Sequence, residues 1–359
     1  MSDSLKNKTD KPGKERSPVL NNSRYIGVDL GTANTLVYVK NKGITVREPS
    51  VVVFEKSTSR MLAAGQEAKN MVGKTPDTLR ALYPLRGGVI ADFEFCAEML
   101  CGFLRKSMNS LTVVRPKVMI CVPYGITEVE KRAVMDSALE AGAGSVYTFE
   151  EPLCAALGAG LPVMSSRGSM IVDIGAGTTE IAVLSHGGIV TSASSKIAGN
   201  SLDNAISSYI KQEFNVLIGE SLAEEIKKKI GSAHRSCDIG AMQVKGRNMR
   251  TGKAAEFTLY SAEVREAITE TLLSLFEAIR SVLDSTPPEL CADIYDSGMT
   301  ICGGGALLRG IATFIGEKSR LPVRIAENPL DCVINGIGRL IQDHEMRQRV
   351  ESIVLHSNI

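Results

Sequence analysis

The chain has 359 residues, 44% of them hydrophobic, and its 41 basic and 40 acidic side chains leave a net charge of +1. That length predicts about two domains with sizeable cores, and so balanced a charge excludes nucleic acid as a general partner and limits any membrane contact to a local patch. No run reaches the roughly 18 uninterrupted apolar residues of a spanning helix, and no apolar stretch follows the charges of the N-terminus, so the expectation is a soluble, unexported chain.

Residues 1–23 are rich in Lys, Ser, Asn and Pro with hardly an apolar side chain, and predict a disordered polar tail. Its Lys6, Lys8, Lys11, Lys14 and Arg16 could touch anionic lipid, although solvated disorder accounts for them as well. Strands are expected over 25–29, 35–39 and 44–54, the last interrupted at Glu48-Pro49-Ser50. A polar insertion of about 54–92 follows, in which Gly65 and Gly73 flank a short helical pattern. A helix over 94–108 leads to Lys117-Val118-Met119-Ile120-Cys121-Val122-Pro123, which reads as a buried parallel strand. Thr127 and Glu130 form a capping box that opens the next helix. After a strand at 145–149, Glu150-Glu151-Pro152 begins a helix of small residues, Cys154 to Gly160. A second strand pair spans 170–184, then a helical polar insertion of about 200–262 and a long helix with Ile268, Leu272, Leu275, Ile279 and Val282 on one stripe. Pro287-Pro288 ends that helix, the buried strand 298–302 runs into Gly303-Gly304-Gly305, and a further helix is expected from about Ala306. Strands alternating with helices predict an α/β fold with partly parallel sheets. The plan divides into a first lobe at 24–165, a second at 166–330 and a C-terminal helix at 331–359 that returns to the first.

The chemistry begins with a repeat. Val28-Asp29-Leu30-Gly31-Thr32-Ala33-Asn34-Thr35 and Val172-Asp173-Ile174-Gly175-Ala176-Gly177-Thr178-Thr179 share one pattern, each a buried strand ending in Asp, a Gly/Thr turn and a second strand. Taken singly, each is ordinary turn chemistry; taken together, two such hairpin tips imply related domains facing one cleft. Glycine lets backbone N–H groups approach an anion, Thr adds hydroxyl donors, and Asp offers oxygen to a hydrated divalent cation, so a metal-bound polyphosphate uses all three. Gly303-Gly304-Gly305 admits a flat ligand close to the backbone, with a helix N-terminus beyond it. Glu151 either complements the start of its helix or orients and partly deprotonates a water for attack on a γ-phosphate. The stretches Cys154–Gly160 and Asn335–Gly338 allow two helices to cross closely, as a hinge or as plain tight packing. Leu111, Val113 and Val114, flanked by Arg105, Lys106, Arg115 and Lys117, suit shallow insertion at an anionic bilayer or burial beneath their own domain. The eight cysteines are scattered without a CxxC pair, as in a reduced protein, and the four histidines lack ligand spacing. The absence of Trp disfavours a base-stacking platform.

Two opposed hairpins, Glu-Glu-Pro before a small-residue helix and Gly-Gly-Gly after a strand resemble the signature of the actin-like ATPase superfamily. More narrowly, Asp29–Tyr38, Asn41–Ile44 with Glu48-Pro49-Ser50, Gly125–Glu130 and Gly303–Gly310 resemble the MreB family of bacterial actins, and the similarity runs from about residue 24 to 345. The resemblance implies a duplicated actin-like (ribonuclease H-like) fold, two lobes of two subdomains around an ATP cleft. It implies that Asp29 and Asp173 attend Mg2+ through waters, and that Gly31, Thr32, Ala33 and Asn34 with Gly175, Ala176, Gly177 and Thr178 hold phosphates. Glu151 and Thr178 would position the attacking water, Gly303, Gly304 and Gly305 would contact the nucleoside, and Glu224 with Lys227 would close over the base. Leu111, Val113 and Val114 fall where family members dip apolar side chains into lipid. Family membership further implies slow ATP hydrolysis coupled to filament assembly at the inner face of the cytoplasmic membrane. The partners would be further copies of the chain, anionic lipid, and membrane-bound cell-wall synthesis and shape proteins such as RodZ and MreC, with no nucleic acid. Three departures stand out: Ala176 replaces the usual middle glycine of the second hairpin, Asn200 stands where Asp is common, and the tail lacks the amphipathic helix some relatives carry. A metabolite kinase and a chaperone-type ATPase of the same superfamily are the alternatives. The first needs a catalytic Asp and a polar substrate pocket; the second needs a long substrate-binding segment, whereas only about twenty residues follow the helix that starts at Gly336–Ile341.

Overall fold

The computed structural model describes residues 25–108 and 115–357. The segment with Leu111, Val113 and Val114, and the N-terminal tail, lie outside the described residues.

The first half opens with β1 (Tyr25–Leu30), β2 (Asn34–Val39) and β3 (Gly43–Pro49), joined antiparallel in sequence order. A small three-stranded sheet follows, built from β4 (Val52–Glu55), β5 (Met61–Ala64) and, after α1 (Gln66–Met71), β6 (Leu79–Leu82). The two-residue strands β7 (Leu85–Arg86) and β8 (Val89–Ile90) lead to α2 (Phe93–Ser107), β9 (Lys117–Val122), α3 (Glu128–Glu140), β10 (Ser145–Glu150) and α4 (Glu151–Gly158). β9 inserts parallel to both β1 and β10, giving the sheet order β10-β9-β1-β2-β3. Five successive residues of β9, Val118–Val122, are buried, as expected of a parallel strand covered on both faces. The capping box at the start of α3 is formed: the Glu130 N–H donates to Thr127 Oγ1 at 3.2 Å, and the Thr127 N–H donates to Glu130 Oε2 at 2.8 Å.

The second half repeats the plan. β11 (Ser169–Ile174), β12 (Thr179–Ser185) and β13 (Gly188–Ser195) are antiparallel neighbours. They are followed by α5 (Gly199–Phe214), β14 (Val216–Leu217), α6 (Glu220–Ile230), β15 (Ala241–Asn248), β16 (Ala254–Tyr260), α7 (Ser261–Asp284) and α8 (Pro288–Ser297). β17 (Met299–Cys302), α9 (Ile311–Ser319), β18 (Val323–Ile325), α10 (Cys332–Gln342) and α11 (His344–Ser357) complete the chain. The second sheet has the order β13-β12-β11-β17-β18, the same arrangement as the first with β11 in the place of β1 and β17 in that of β9. α4 and α10 lie between the two sheets in a shared core with Met119, Phe149, Ile171 and Ala182. They cross closely, because a Cβ on Gly158 would collide with the Cys332 carbonyl and one on Gly336 with the Cys154 carbonyl. All five residues of the stripe on α7 are buried.

Two expectations need correction. The insertion between β13 and α7 is not purely helical: β14, β15 and β16 form a three-stranded antiparallel sheet. Their exposure does alternate, with Met242 and Val244 of β15 and Ala255, Phe257 and Leu259 of β16 on the core side and Gln243, Lys245 and Glu256 exposed between them, but only Val244 and Leu259 are fully buried. Nor does a helix start at Ala306. Gly304–Leu307 is one turn of 3-10 helix, and α9 begins only at Ile311. Gly310 is left-handed at φ 74, and consecutive glycines make poor helix, so the chain turns once before the helix can begin.

Candidate functional site

Both repeats form the hairpins expected, with the same internal turn. The Gly31 N–H donates to the Asn34 carbonyl at 3.1 Å, and the Gly175 N–H to the Thr178 carbonyl at 2.9 Å. The tips face each other closely, since a Cβ on Gly177 would run into Thr32. Gly88, after the β7 turn, seals one side: its N–H donates to Thr32 Oγ1 at 3.1 Å, and it lies against the Thr178 methyl. Between them opens a cavity of about 540 Å³, of a size that takes a small-molecule ligand. Every cleft residue singled out in the sequence lines it: Asp29, the two tips, Glu151, Asp173, Glu224, Lys227 and Gly303–Gly305.

The floor is acidic. Burial first, and then Asp331, push the Asp29 carboxyl up to about 7; burial, then Asp29 and Glu180, push Asp173 up to about 7. Glu151, at the start of α4, is driven well above the ordinary carboxylate range by burial and then by Asp173 and Asp29. Among the described residues no Lys or Arg forms an ion pair with Asp29, Glu151, Asp173 or Glu180. So much uncompensated charge fits a bound cation. Among those residues no three His, Cys, Asp or Glu side chains stand close enough to hold a metal directly, so the donor set suits a divalent ion held through its waters and a ligand's phosphates.

Two buried residues that support the site from behind were missed in the sequence. Glu180 on β12, 1% exposed, accepts from Ser194 Oγ at 2.6 Å and from the Tyr124 N–H at 3.3 Å, and is hydrogen-bonded to Thr178. Its signal was an acid directly before the apolar run Ile181–Leu184, a position where an unpaired carboxylate is costly. Ser50, wholly buried, donates through Oγ to the Gly31 carbonyl at 2.6 Å and through its N–H to the Ala33 carbonyl at 2.9 Å. No local pattern distinguishes it from any serine at a strand break.

At the other end, Gly303 and Gly305 are needed by the protein itself. A Cβ on Gly303, at φ 77, would collide with Asp173 and the Ile174 carbonyl, and one on Gly305 with the Ile174 side chain; Gly304 alone has room. Glu224 and Lys227 share the cavity wall but have different partners. Glu224 pairs with Lys228 at 2.6 Å and with Lys69 of α1 at 3.5 Å, a contact that joins the two insertions across the mouth. Lys227 Nζ donates at 2.9 Å to both the Gly199 carbonyl and Asp203 Oδ2. Asn200 touches the second tip through its backbone, its N–H donating to the Ala176 carbonyl at 2.8 Å.

Duplicated five-stranded sheets, paired helices between them and facing hairpins make this the actin-like ATPase fold. The solved structure of MreB5 of Spiroplasma citri bound to AMPPNP matches it with a TM-score of 0.86 at 37% identity, covering 92% of this chain and 99% of that one. The chain belongs to the MreB/Mbl family, whose sequence model, described as MreB/Mbl protein, matches residues 23–349. It is 46% identical over 321 residues to the cell shape-determining protein Mbl of Bacillus subtilis (strain 168), covering 89% of this chain and 96% of that protein. It is 45% identical over 329 residues to the cell shape-determining protein MreB of Escherichia coli (strain K12), covering 90% and 95%.

Proposed function

We propose that this protein is a slow ATPase whose Mg·ATP-bound form assembles into filaments of its own copies at the inner face of the cytoplasmic membrane, where they organise cell-wall peptidoglycan synthesis and cell shape. The observation that carries the reading is the convergence of two phosphate-sized hairpin tips and a floor of buried carboxyls on one cavity. Within Gly31–Asn34 and Gly175–Thr178, the amides that follow the turn-closing Gly31 and Gly175 N–H groups would meet the phosphates together with the Thr hydroxyls, and Asp29 with Asp173 would hold Mg2+ through its waters. When bound, the ion would neutralise charge on the phosphates. Glu151 accepts a hydrogen bond from the attacking water, and Thr178, itself held by Glu180, fixes that water's direction. The new bond forms from water to the γ-phosphorus, the bond to the β-phosphate oxygen breaks, and ADP and phosphate result. Gly303–Gly305 face the nucleoside, with Glu224 and Lys227 on the wall beside the base.

The lobes at 24–165 and 166–330 close on the nucleotide while 331–359 returns to the first lobe, and the γ-phosphate favours the assembling shape. Heterologous contacts that do not close on themselves then yield an open polymer. Among the described residues no helix is long and apolar enough to cross a membrane, so membrane contact would be peripheral, through Leu111, Val113 and Val114, with RodZ and MreC among the proteins met there. Membership of a family with cell shape-determining relatives and an AMPPNP-bound one supports this assignment.

Sedimentation with ATP and Mg2+, with and without anionic liposomes, tests it: the protein should pellet, and more of it with lipid. A protein that stays in the supernatant over a wide concentration range removes assembly from its function. Glu151→Ala should retain nucleotide binding and slow phosphate release by about 100-fold; unchanged release would take Glu151 out of the mechanism.

A further inference from the structure

Beneath the cleft the duplication extends to four thiols. Cys121 of β9 stands in register beside Asp29 of β1, and Cys302 of β17 beside Asp173 of β11, so the two sulfurs occupy equivalent places in the two sheets. Each stands beside a second thiol on one of the two crossing helices, in the core between the sheets: Cys121 beside Cys154 of α4, and Cys302 beside Cys332 of α10, whose Sγ donates to the Asn328 carbonyl at 3.4 Å. In both helices the cysteine lies one turn before the glycine of the crossing, Gly158 or Gly336, and its carbonyl faces the other helix's glycine. The pairs differ in what reaches them. Cys154 and Cys302 are wholly buried, but Cys121 forms part of the wall of the nucleotide cavity. Cys332 forms part of the wall of a separate cavity of about 400 Å³, edged by Tyr38, Asn335, Arg339 and Gln342 and sharing no residue with the first.

We propose that Cys121–Cys154 and Cys302–Cys332 are two disulfide-forming modification sites with separate entrances, the first shielded by a nucleotide in the cleft and the second indifferent to it. Only the shielding rests on the nucleotide assignment. Surroundings that include burial hold the Cys121 and Cys302 thiols well above the ordinary thiol range, which slows attack; each pair nonetheless has one sulfur on a cavity wall and its partner beside it, so oxidation needs a reagent to enter the cavity and the two sulfurs to close to the bonding distance of about 2 Å. A peroxide is small and uncharged enough to enter either cavity. The Cys121 sulfur attacks one peroxide oxygen as its proton leaves, the O–O bond breaks, and one water departs from the resulting sulfenic acid stage. The Cys154 sulfur then bonds to the Cys121 sulfur, its proton leaving with the displaced oxygen as the second water. Two thiols together lose two electrons, and one peroxide becomes two waters. The bond ties α4 to the Asp29 side of the first sheet; its counterpart ties α10 to the Asp173 side of the second, so either one restrains the crossing between the lobes.

The test uses the full-length protein and hydrogen peroxide, with and without Mg·ATP, followed by alkylation of remaining thiols and peptide mass spectrometry. The 121–154 linkage should form in nucleotide-free protein and be lost with Mg·ATP, while the 302–332 linkage forms equally in both. Cys154→Ser should leave a sulfenic acid at Cys121 that a dione probe traps, with the 302–332 linkage intact. Absence of the 121–154 linkage from nucleotide-free protein, under peroxide that joins 302 to 332, overturns the front site; absence of the 302–332 linkage overturns the back one. Equal 121–154 linkage with Mg·ATP, once equilibrium binding has shown the cleft filled, overturns the shielding. If that binding measurement shows no ATP bound, the nucleotide assignment fails, and the linkages in nucleotide-free protein still decide the two thiol sites.

Discussion

The two hairpins share a turn and differ in what braces it. In each, the first glycine's N–H closes on the carbonyl three residues on. The first hairpin's outward carbonyls are then taken by one residue, Ser50, whose hydroxyl serves Gly31 and whose amide serves Ala33. In the second, the equivalent Gly175 carbonyl accepts the N–H of Gly199 at 3.0 Å, and Ala176 accepts that of Asn200, the first two amides of α5. The turn is local chemistry, so duplication preserved it; the brace is tertiary, so each lobe found its own. The consequence is mechanical. The first tip is fastened to the break between β3 and β4, whereas the second is fastened to a helix of the insertion, which Lys227 also grips through the Gly199 carbonyl. A displacement of α5 or α6 therefore moves the second tip directly, and the first tip has no such lever.

The largest expected effect comes from charge. Asp29 and Asp173 are both pushed up to about 7, after burial by different neighbours, Asp331 in one case and Asp29 with Glu180 in the other. A folded carboxyl that holds its proton above the ordinary value of 3.8 favours the fold fully below that pH, and this contribution is lost as pH rises toward about 7. In nucleotide-free protein, Asp173→Asn should therefore remove a loss on the order of 4 kcal/mol across that window. Thermal melts at several pH values check it: the variant's Tm should fall less than the parent's as pH rises, and parallel curves would show that the floor carries its charge without cost.

Next in size is the second brace. Gly199 opens α5 after an extended Ala198 at φ -153, a backbone that accepts a following proline. Gly199→Pro removes the amide and sets a ring carbon against the Gly175 carbonyl, and should cost about 3 kcal/mol in urea unfolding. Ser50→Ala is the gentler counterpart, because the amide to Ala33 survives; it should cost about 1 to 2 kcal/mol for the Gly31 carbonyl and the buried Thr35 hydroxyl, both of which lose the Ser50 Oγ. Equal costs for the two would mean that the braces are interchangeable and that the lever through α5 does not exist.

The same contrast explains what was legible in the sequence. The Asp-x-Gly repeat, the buried β9 run, the Thr127 capping box and the α7 stripe carry their information within a few residues, and the structure has them where they were read. Ser50 and Glu180 act across long separations, on Gly31 and on Tyr124, and no window of sequence contains both ends of such contacts. The β14–β16 sheet was missed for another reason: the alternation Met242-Gln243-Val244-Lys245 and Ala255-Glu256-Phe257-Thr258-Leu259 is present, but it lies in short strands within a polar stretch read as helical. Glu224 and Lys227 both line the cavity, but their ion pairs with Lys69 and Asp203 follow from how the insertions meet.

The triple glycine sharpens the comparison at its smallest scale, because it packs against the second hairpin and has no equivalent at the first. Gly303 and Gly305 are held by contact with Asp173 and Ile174, leaving Gly304 as the one position where ligand approach rather than protein packing explains the residue. Its nearest neighbour to a new methyl is Leu330 Cδ2 at 3.6 Å, an ordinary van der Waals contact. Gly304→Ala should therefore change folding stability by less than about 0.5 kcal/mol, while Gly303→Ala, with a positive φ and a collision against the Asp173 carboxyl, is destabilising at the level of the Gly199 variant. Urea titrations separate the two. If Gly304→Ala leaves stability intact yet weakens ATP binding, the middle glycine serves the nucleoside; if it changes neither, all three glycines are there for the fold.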